Sequence, residues 1–162
     1  MFQKHKLNFY LYLSIALAAI LVVIVVLWLS RTAGSRKPVT EVAEGPVQLF
    51  QNEHSQESTA LVLKKYYGLE PEMYDEAVLY FPITNMDAEE LLILKLADPS
   101  QAEAAAAAIQ ERNQSQINVY EGYAPEQYAL CEDAVIDVQG NYILYVVHKD
   151  ADRIDAAFRE AL

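Results

Sequence analysis

Cysteine is almost missing from this chain, whose 162 residues include only Cys131. A single cysteine cannot form an internal disulfide, so a folded domain has to be stabilised by its hydrophobic core. The sequence also lacks a glycine-rich phosphate loop, a His-Glu-x-x-His segment, a Cys-x-x-Cys pair and a Gly-x-Ser-x-Gly turn. These are the common signatures of nucleotide-binding proteins, zinc enzymes and hydrolases, so the sequence indicates no catalytic, cofactor-binding or metal-binding residue.

Basic residues are scarce in the larger, C-terminal part of the chain. All 23 acidic residues follow Lys37 but only seven of the 12 basic ones do, which gives this part a formal charge of about −16. Phosphate binding depends on clustered lysine and arginine side chains, so a nucleic-acid partner is not expected. The acidity is typical of a well-solvated surface that keeps an exported domain soluble.

One long apolar run, Phe9 to Leu29, contains 21 residues and no charge. A helix of this length rises roughly 31 Å at about 1.5 Å per residue, which matches the hydrocarbon core of a bilayer. Tyr10, Tyr12 and Trp28 place amphipathic rings near its two ends, and basic residues lie on both sides. The run predicts a transmembrane helix over residues 9–30 that contacts the lipid bilayer and anchors the protein in the cell membrane.

A cleaved signal peptide is the alternative to a permanent anchor. The apolar core of such a peptide is about 7 to 15 residues long, which is shorter than this run. The nearest small-residue cleavage site, Ala33-Gly34-Ser35, lies beyond Arg31. The flanking charges do not decide the orientation of an anchor, because Lys4 and Lys6 on one side are matched by a similar basic group on the other.

Residues 31–57 are predicted to form a stalk that holds a domain away from the lipid surface. The segment contains two glycines, two prolines and a polar run over residues 51–57, and its apolar residues show no sustained period. The remainder, residues 58–162, is long enough for one small domain with its own core.

The first elements of the domain are a short helix and two strands. The helix is predicted over residues 58–67, with Ser58 as its cap and Gly68 as its end. The strands are predicted over residues 77–81 and 91–96. Both strands are almost continuously apolar, which is typical of central strands covered on at least one face.

The rest of the domain predicts a long helix, a hairpin and a final helix. Asp98-Pro99 supplies a cap and a first helical residue, and the alanine-rich residues 102–117 continue the helix. A hairpin over residues 134–148 turns at Gly140-Asn141, and the last helix follows Asp150. This order predicts an α+β domain of two layers, a mainly antiparallel four-stranded sheet with its helices on one face.

Several short motifs of the domain resemble one known family: YYGLEP at 66–71, EAVLY at 76–80, DAEELLILK at 87–95, and GNY at 140–142 before DAD at 150–152. Over residues 58–162 their order and spacing are similar to a bacterial family of extracytoplasmic domains of unknown function, the DUF 4358 type. The resemblance implies a location, mostly in Gram-positive bacteria, and no activity or catalytic residues. It also favours a signal anchor with residues 1–8 in the cytoplasm and residues 58–162 outside. Many relatives are lipoproteins, whereas this chain has no cysteine after its apolar run.

Tyrosine is abundant, and nine of the 11 tyrosines lie beyond the apolar run. Aromatic rings with a polar tip are favoured at binding surfaces, so the closely spaced Tyr120, Tyr123 and Tyr128 predict an interaction patch. The alternative is that these rings seal the edge of a core between helix and sheet.

Histidines and aspartates offer two further interpretations. His54 and His148 are interpreted as solvated side chains, in the polar segment and at a strand end, rather than as catalytic groups. Calcium prefers several oxygens around a loop, so it is an alternative for five aspartates: Asp133, Asp137, Asp150, Asp152 and Asp155. Their spacing lacks the glycine and the terminal glutamate of an EF-hand, and helix capping explains Asp150 and Asp152 without a metal.

Two functional classes follow from the sequence. The first is a noncatalytic binding or assembly module at the cell envelope, favoured by the missing signatures, the acidic surface and the tyrosines, with an envelope protein as its partner. The alternative is an envelope enzyme of unrecognised type. Such an enzyme would need a polar pocket that gathers titratable groups with perturbed pKa values.

Overall fold

The computed structural model describes residues 12, 15–25, 35–58 and 60–162. The chain divides into two compact units, Met1–Ala33 and Gly34–Leu162. In the first unit, residues 15–25 are helical and exposed. Among the described residues, no helix has both the length and the apolar character that crossing a bilayer requires. The predicted transmembrane helix over residues 9–30 lies partly outside the described residues.

The second unit alternates helices and strands, which we number within this unit. Its elements are α1 (Val39–Phe50), β1 (Ser55–Glu57), α2 (Ala60–Val62, continued by a π-helical turn over Leu63–Tyr67), β2 (Tyr74–Pro82), β3 (Glu90–Leu96), α3 (Ala102–Tyr120), α4 (Pro125–Glu132), β4 (Val135–Gln139), β5 (Tyr142–Val147) and α5 (Ala151–Ala161). Single 3₁₀ turns precede β2 and α3. The predicted α+β class is confirmed.

Within residues 35–58 and 60–162, five strands form one sheet in the order β1-β2-β3-β5-β4, and every neighbouring pair is antiparallel. The prediction of four strands was therefore wrong. The additional strand is β1 at one edge, where Ser55 is opposite Pro82 and the Ser58 N–H donates to the Leu79 carbonyl at 2.8 Å. β1 has only three residues and no apolar alternation, so its sequence carries little strand signal.

Helices cover both faces of the sheet, so the prediction of two layers with helices on one face was also wrong. Along β3, Leu92 and Leu94 contact the core beneath α3, whereas Leu91 and Ile93 contact the core beneath α1 and α5. β5 alternates in the same way, and all six of its residues are buried. A strand whose two faces are both covered needs apolar residues at every position, which explains the continuous apolar runs.

The segment expected to be a stalk contains α1, which is part of the folded unit. Val39, Val42, Ala43, Pro46 and Phe50 are buried at helical intervals, although Pro46 interrupts the backbone hydrogen bonding of the helix. This face packs on the sheet and on α5. These buried residues recur at helical intervals in the sequence, but the prolines and glycines of the segment favoured a linker.

Side chains of the sheet fix the start of α1. The Val39 N–H, which has no carbonyl partner in the first turn, donates to Glu76 Oε2 at 2.9 Å. Lys95 Nζ donates to the Lys37 carbonyl at 2.9 Å, and the Tyr142 hydroxyl donates to the same carbonyl. The second compact unit, Gly34–Leu162, therefore includes α1 together with residues 58–162.

Local signals in the rest of the domain predicted its elements well. Asp98 accepts the Ser100 N–H at 2.8 Å, and Pro99 begins the turn that leads into α3. Gly68 ends the helical turn that continues α2 with a positive φ of 66°, a conformation that costs other residues energy. The short helix α4, which begins at Pro125, was not predicted.

Candidate functional site

A buried carboxylate, Glu90, lies at the first position of β3 with no exposed surface. Its oxygens accept hydrogen bonds from Arg112 Nη2 at 2.7 Å, from Arg112 Nε at 3.2 Å and from Gln116 Nε2 at 3.3 Å. The Tyr67 hydroxyl donates to it as well. Four donors thus compensate the removal of this charge from water.

Arg112 projects from the middle of α3, and its guanidinium lies among aromatic rings. Its Cζ lies 5.0 Å from the ring centre of Phe81, 5.4 Å from Tyr66 and 5.9 Å from Tyr67. The Tyr66 and Phe81 rings also contact each other, with their centres 4.8 Å apart. The rings hold the guanidinium plane in place and reduce its access to water.

The charge of Glu90 shifts the pKa of the groups around it. Burial disfavours the charged form of Arg112, but the hydrogen bonds and charge of Glu90 outweigh burial and raise the pKa of Arg112. Burial, followed by the Glu90 charge, raises the pKa of Tyr67 and of Tyr145 well above 10.0. The same two causes raise the pKa of Cys131 to about 11, so its thiol stays protonated and unreactive at neutral pH.

Arg112 of this ion pair lines a groove of about 380 Å³. It runs between α3 and the chain that leaves β2 and leads towards β3. The floor includes Arg112, Gln116 and Tyr120, and the walls include the Tyr66 and Phe81 rings. The remaining lining residues are mostly small, polar or aliphatic: Pro82, Ile83, Thr84, Asn85, Asp87, Ser115 and Val119. We refer to this feature as the Arg112 groove.

Large apolar side chains around the Arg112 groove are exposed to solvent. Ile83 and Val119, which line it, are 55% and 56% exposed, and Tyr66 on its wall is 43% exposed. Met86 and Tyr123 are exposed nearby, where the Tyr123 hydroxyl lies 3.2 Å from Met86 Sδ. Exposed apolar side chains gathered around a concave surface are typical of a binding site.

The structure separates the three tyrosines of the predicted interaction patch. Tyr120 is buried, its hydroxyl donates to the Asp87 carbonyl at 2.8 Å, and burial raises its pKa to about 12. Tyr123 is exposed beside the groove, whereas Tyr128 is half-buried on α4 and donates to Glu132 at 2.9 Å. The interaction patch stays a prediction for Tyr123. Tyr120 lines the groove as part of its floor.

His148 is not the solvated side chain that the sequence suggested. It is buried at the end of β5, where its Nδ1 accepts the Asp150 N–H at 3.0 Å and its Nε2 lies 3.6 Å from Glu89 Oε1. Its ring also contacts Phe50, with centres 5.4 Å apart. Through these contacts, His148 at the end of β5 connects the start of β3 with the end of α1. Its role is therefore structural. His54 is exposed.

Two of the five aspartates considered for calcium, Asp137 and Asp155, meet at Arg159. Arg159 Nε lies 3.0 Å from Asp137 Oδ2, and Arg159 Nη2 lies 3.1 Å from Asp155 Oδ2. Burial, followed by the Asp137 charge, raises the pKa of Asp155. In the part of the chain that the structure describes, no three histidine, cysteine, aspartate or glutamate side chains gather as a metal ion would need.

Glu90 and Arg112 were missed as site residues because they are 22 positions apart in the sequence. Two signals could have singled them out. Glu90 begins an apolar strand, and Arg112 is the only basic residue of α3. An acidic residue that begins an apolar strand and the one basic residue of a helix that covers the strand are candidates for pairing.

The fold and the groove define a small α+β domain with an antiparallel sheet between two helical layers and a buried ion pair beneath a concave surface. A family model described as a domain of unknown function, DUF4358, matches residues 49–148. The chain belongs to this family. No curated protein matches the chain. No solved structure matches it either.

Proposed function

We propose that this protein is a single-pass, membrane-anchored module whose acidic domain lies outside the cytoplasm and binds a protein partner of the cell envelope through the Arg112 groove. The observation that carries the binding role is the exposed apolar rim around the groove. Ile83 and Val119 expose more than half of their surface at a concave site, with a guanidinium on its floor.

The proposed location rests on the sequence. The uncharged run from Phe9 to Leu29 has the length and the flanking aromatic and basic residues of a signal anchor. The resemblance to extracytoplasmic bacterial domains, mostly from Gram-positive species, supports an outward orientation. The many carboxylates beyond Lys37 suit a domain that must stay soluble beside a surface.

The titratable groups around Glu90 favour binding over catalysis at the Arg112 groove. Tyr67, Tyr145 and Cys131, whose pKa values are raised, are buried and lie around Glu90 rather than open to the groove. The oxygens of the Glu90 carboxylate already accept hydrogen bonds from Arg112, Gln116 and Tyr67. Such a cluster holds the floor of a site in one shape, as a preorganised binding surface requires.

Two experiments test the proposal. Protease added to intact cells should digest the domain while cytoplasmic proteins stay intact, and the uncleaved chain should fractionate with membranes. Chemical crosslinking in native membranes, followed by mass spectrometry, should connect the domain to an envelope protein. A domain that is protected in intact cells, or a native product that is soluble and lacks residues 9–30, would contradict the proposed location.

A further inference from the structure

We infer that the Arg112 groove binds an uncharged, extended polypeptide segment, with a peptide carbonyl on Arg112 and aliphatic side chains against Ile83 and Val119. The inference rests on the proposed function and specifies the chemistry of the partner. It follows from three features: the N–H donors of Arg112 that no described residue uses, the charge balance of the groove floor, and the exposed aliphatic side chains of the rim.

The guanidinium offers unused donors. Glu90 occupies only one side of it, through Nε and Nη2. Among the described residues, no acceptor lies within hydrogen-bonding distance of Nη1, and Arg112 lines the groove. A guanidinium carries five N–H donors in a rigid fork, so the unpaired end favours a ligand oxygen that enters the groove.

The charge balance of the floor favours a neutral oxygen over a carboxylate. Glu90 already neutralises Arg112, and the pair is almost completely buried, with side-chain exposures of 0% and 11%. An incoming carboxylate would leave a net negative charge at this poorly hydrated pair, and the strongly acidic surface of the domain would repel it. A peptide carbonyl accepts the same hydrogen bond without that repulsion.

The walls of the groove favour a polypeptide over a sugar. The rings of Tyr66 and Phe81 contact each other and the guanidinium, so part of their surface is already covered and less of it is open to a sugar ring. Ile83 and Val119 are aliphatic and exposed, which suits leucine, isoleucine or valine side chains. Asn85, Ser115 and Gln116 supply amide and hydroxyl groups for the backbone of the segment.

The test is a selection of peptides on the full chain reconstituted in lipid nanodiscs. A display library of random 12-residue peptides is selected on the protein after empty nanodiscs have removed lipid-binding sequences. We expect the enriched peptides to share uncharged, aliphatic cores. Fluorescence anisotropy of the labelled peptides should show binding that weakens at least about tenfold in Val119→Glu and in Ile83→Glu, because each places a carboxylate on the rim.

Val138→Glu is the matched control, since Val138 is an exposed valine on β4 that does not line the groove. This variant should bind the peptides as the parent does, and both rim variants change exposed residues, so their folding should be preserved. Equal affinity of Val119→Glu and Val138→Glu would overturn the inference. Enrichment of peptides with acidic cores, or groove-dependent binding of a tetrasaccharide of N-acetylglucosamine in place of peptides, would overturn it too. Enrichment of acidic peptides would leave the proposed protein partner intact, and crosslinking in membranes tests that partner separately.

Discussion

The carboxylate of Glu90 and the guanidinium of Arg112 meet side by side inside the domain, with 2.7 Å between Oε2 and Nη2 and 3.2 Å between Oε1 and Nε. One residue opens a central strand and the other lies in the middle of the longest described helix of the domain. Their contact therefore fixes α3 on the sheet and shapes the floor of the Arg112 groove.

Removing one charge of this pair should destabilise the domain strongly. Glu90→Gln leaves Arg112 buried without a counter-charge, and we expect a loss of about 3 to 5 kcal/mol in the free energy of unfolding. Urea unfolding followed by circular dichroism measures it. Glu70→Gln is the control, because Glu70 pairs with Lys64 at an exposed position, and it should cost less than about 1 kcal/mol. Similar losses in the two variants would show that the buried pair is not important for stability.

Replacing both charged residues of the pair should cost less than removing Glu90 alone. In Glu90→Gln combined with Arg112→Met, no charge stays buried, and the new amide oxygen at position 90 can still accept the hydrogen bonds of Tyr67 and Gln116. We expect the double variant to regain about 1 kcal/mol or more of the stability lost in Glu90→Gln. A double variant that is less stable than Glu90→Gln would contradict this account of the pair.

Alkaline pH should destabilise the domain through Tyr67. Burial and the Glu90 charge raise the pKa of Tyr67 in the folded state, so the folded chain holds its proton after the unfolded chain has lost it. The contribution of Tyr67 is therefore complete below about pH 10 and is lost as the pH rises further. Stability measured between pH 9 and 11 should fall less steeply in Tyr67→Phe, with Tyr123→Phe as a control for an exposed hydroxyl. An unchanged slope in Tyr67→Phe would be the contrary result.

Acid should change the contributions of Glu76 and Asp155 to the stability of the domain in opposite directions. The hydrogen bond from the Val39 N–H lowers the pKa of Glu76, burial opposes this effect and Lys95 adds to it. The stabilising contribution of Glu76 therefore disappears as the pH falls through that pKa. Burial and the Asp137 charge raise the pKa of Asp155, so its ionised form opposes folding until acid protonates it.

The corresponding variants separate these two effects. Glu76→Gln should cost about 1 kcal/mol at pH 7, where its bonds are partly exposed to solvent, and almost nothing at pH 3. Asp155→Asn should be at least as stable as the parent at pH 7, and the two should converge as the pH falls towards 3. Thermal unfolding over this pH range measures both. A gain for Glu76→Gln, or a loss for Asp155→Asn, at pH 7 would contradict the signs.

Phe50 tests whether α1 belongs to the core. Phe50 is fully buried and contacts Tyr80 and His148, so Phe50→Ala should cost about 3 kcal/mol or more in unfolding free energy. Gln48→Ala changes an exposed residue of the same helix and should have little effect. If residues 31–57 were a stalk, as first predicted, the two variants would behave alike.

The sequence predicted the elements that depend on neighbouring residues. The cap at Asp98, the helix end at Gly68 and the hairpin at Gly140-Asn141 are local arrangements in which one or two residues determine the backbone. The position of β2 and β3 away from the edges of the sheet was also predicted, because almost continuous apolar runs require cover on their faces.

The remaining features depend on contacts between distant residues. α1 was missed because Pro46 and Gly45 suggested a linker, although its buried residues recur at helical intervals. The pairing of Glu90 with Arg112 exists only once α3 lies on the sheet, and with it the groove. Of the three tyrosines proposed as an interaction patch, Tyr120 lies in the core. The spacing of residues places side chains on a helix face but does not show what covers that face.

The most direct measurement of the proposed role is site-specific photocrosslinking in living cells. A photoreactive amino acid replaces Val119 on the rim of the groove, or Val138 on β4 as the control, and both positions are exposed. We expect a discrete crosslinked product with an envelope protein from position 119 and none from position 138. The same products from both positions, or none from position 119, would contradict a binding role for the Arg112 groove.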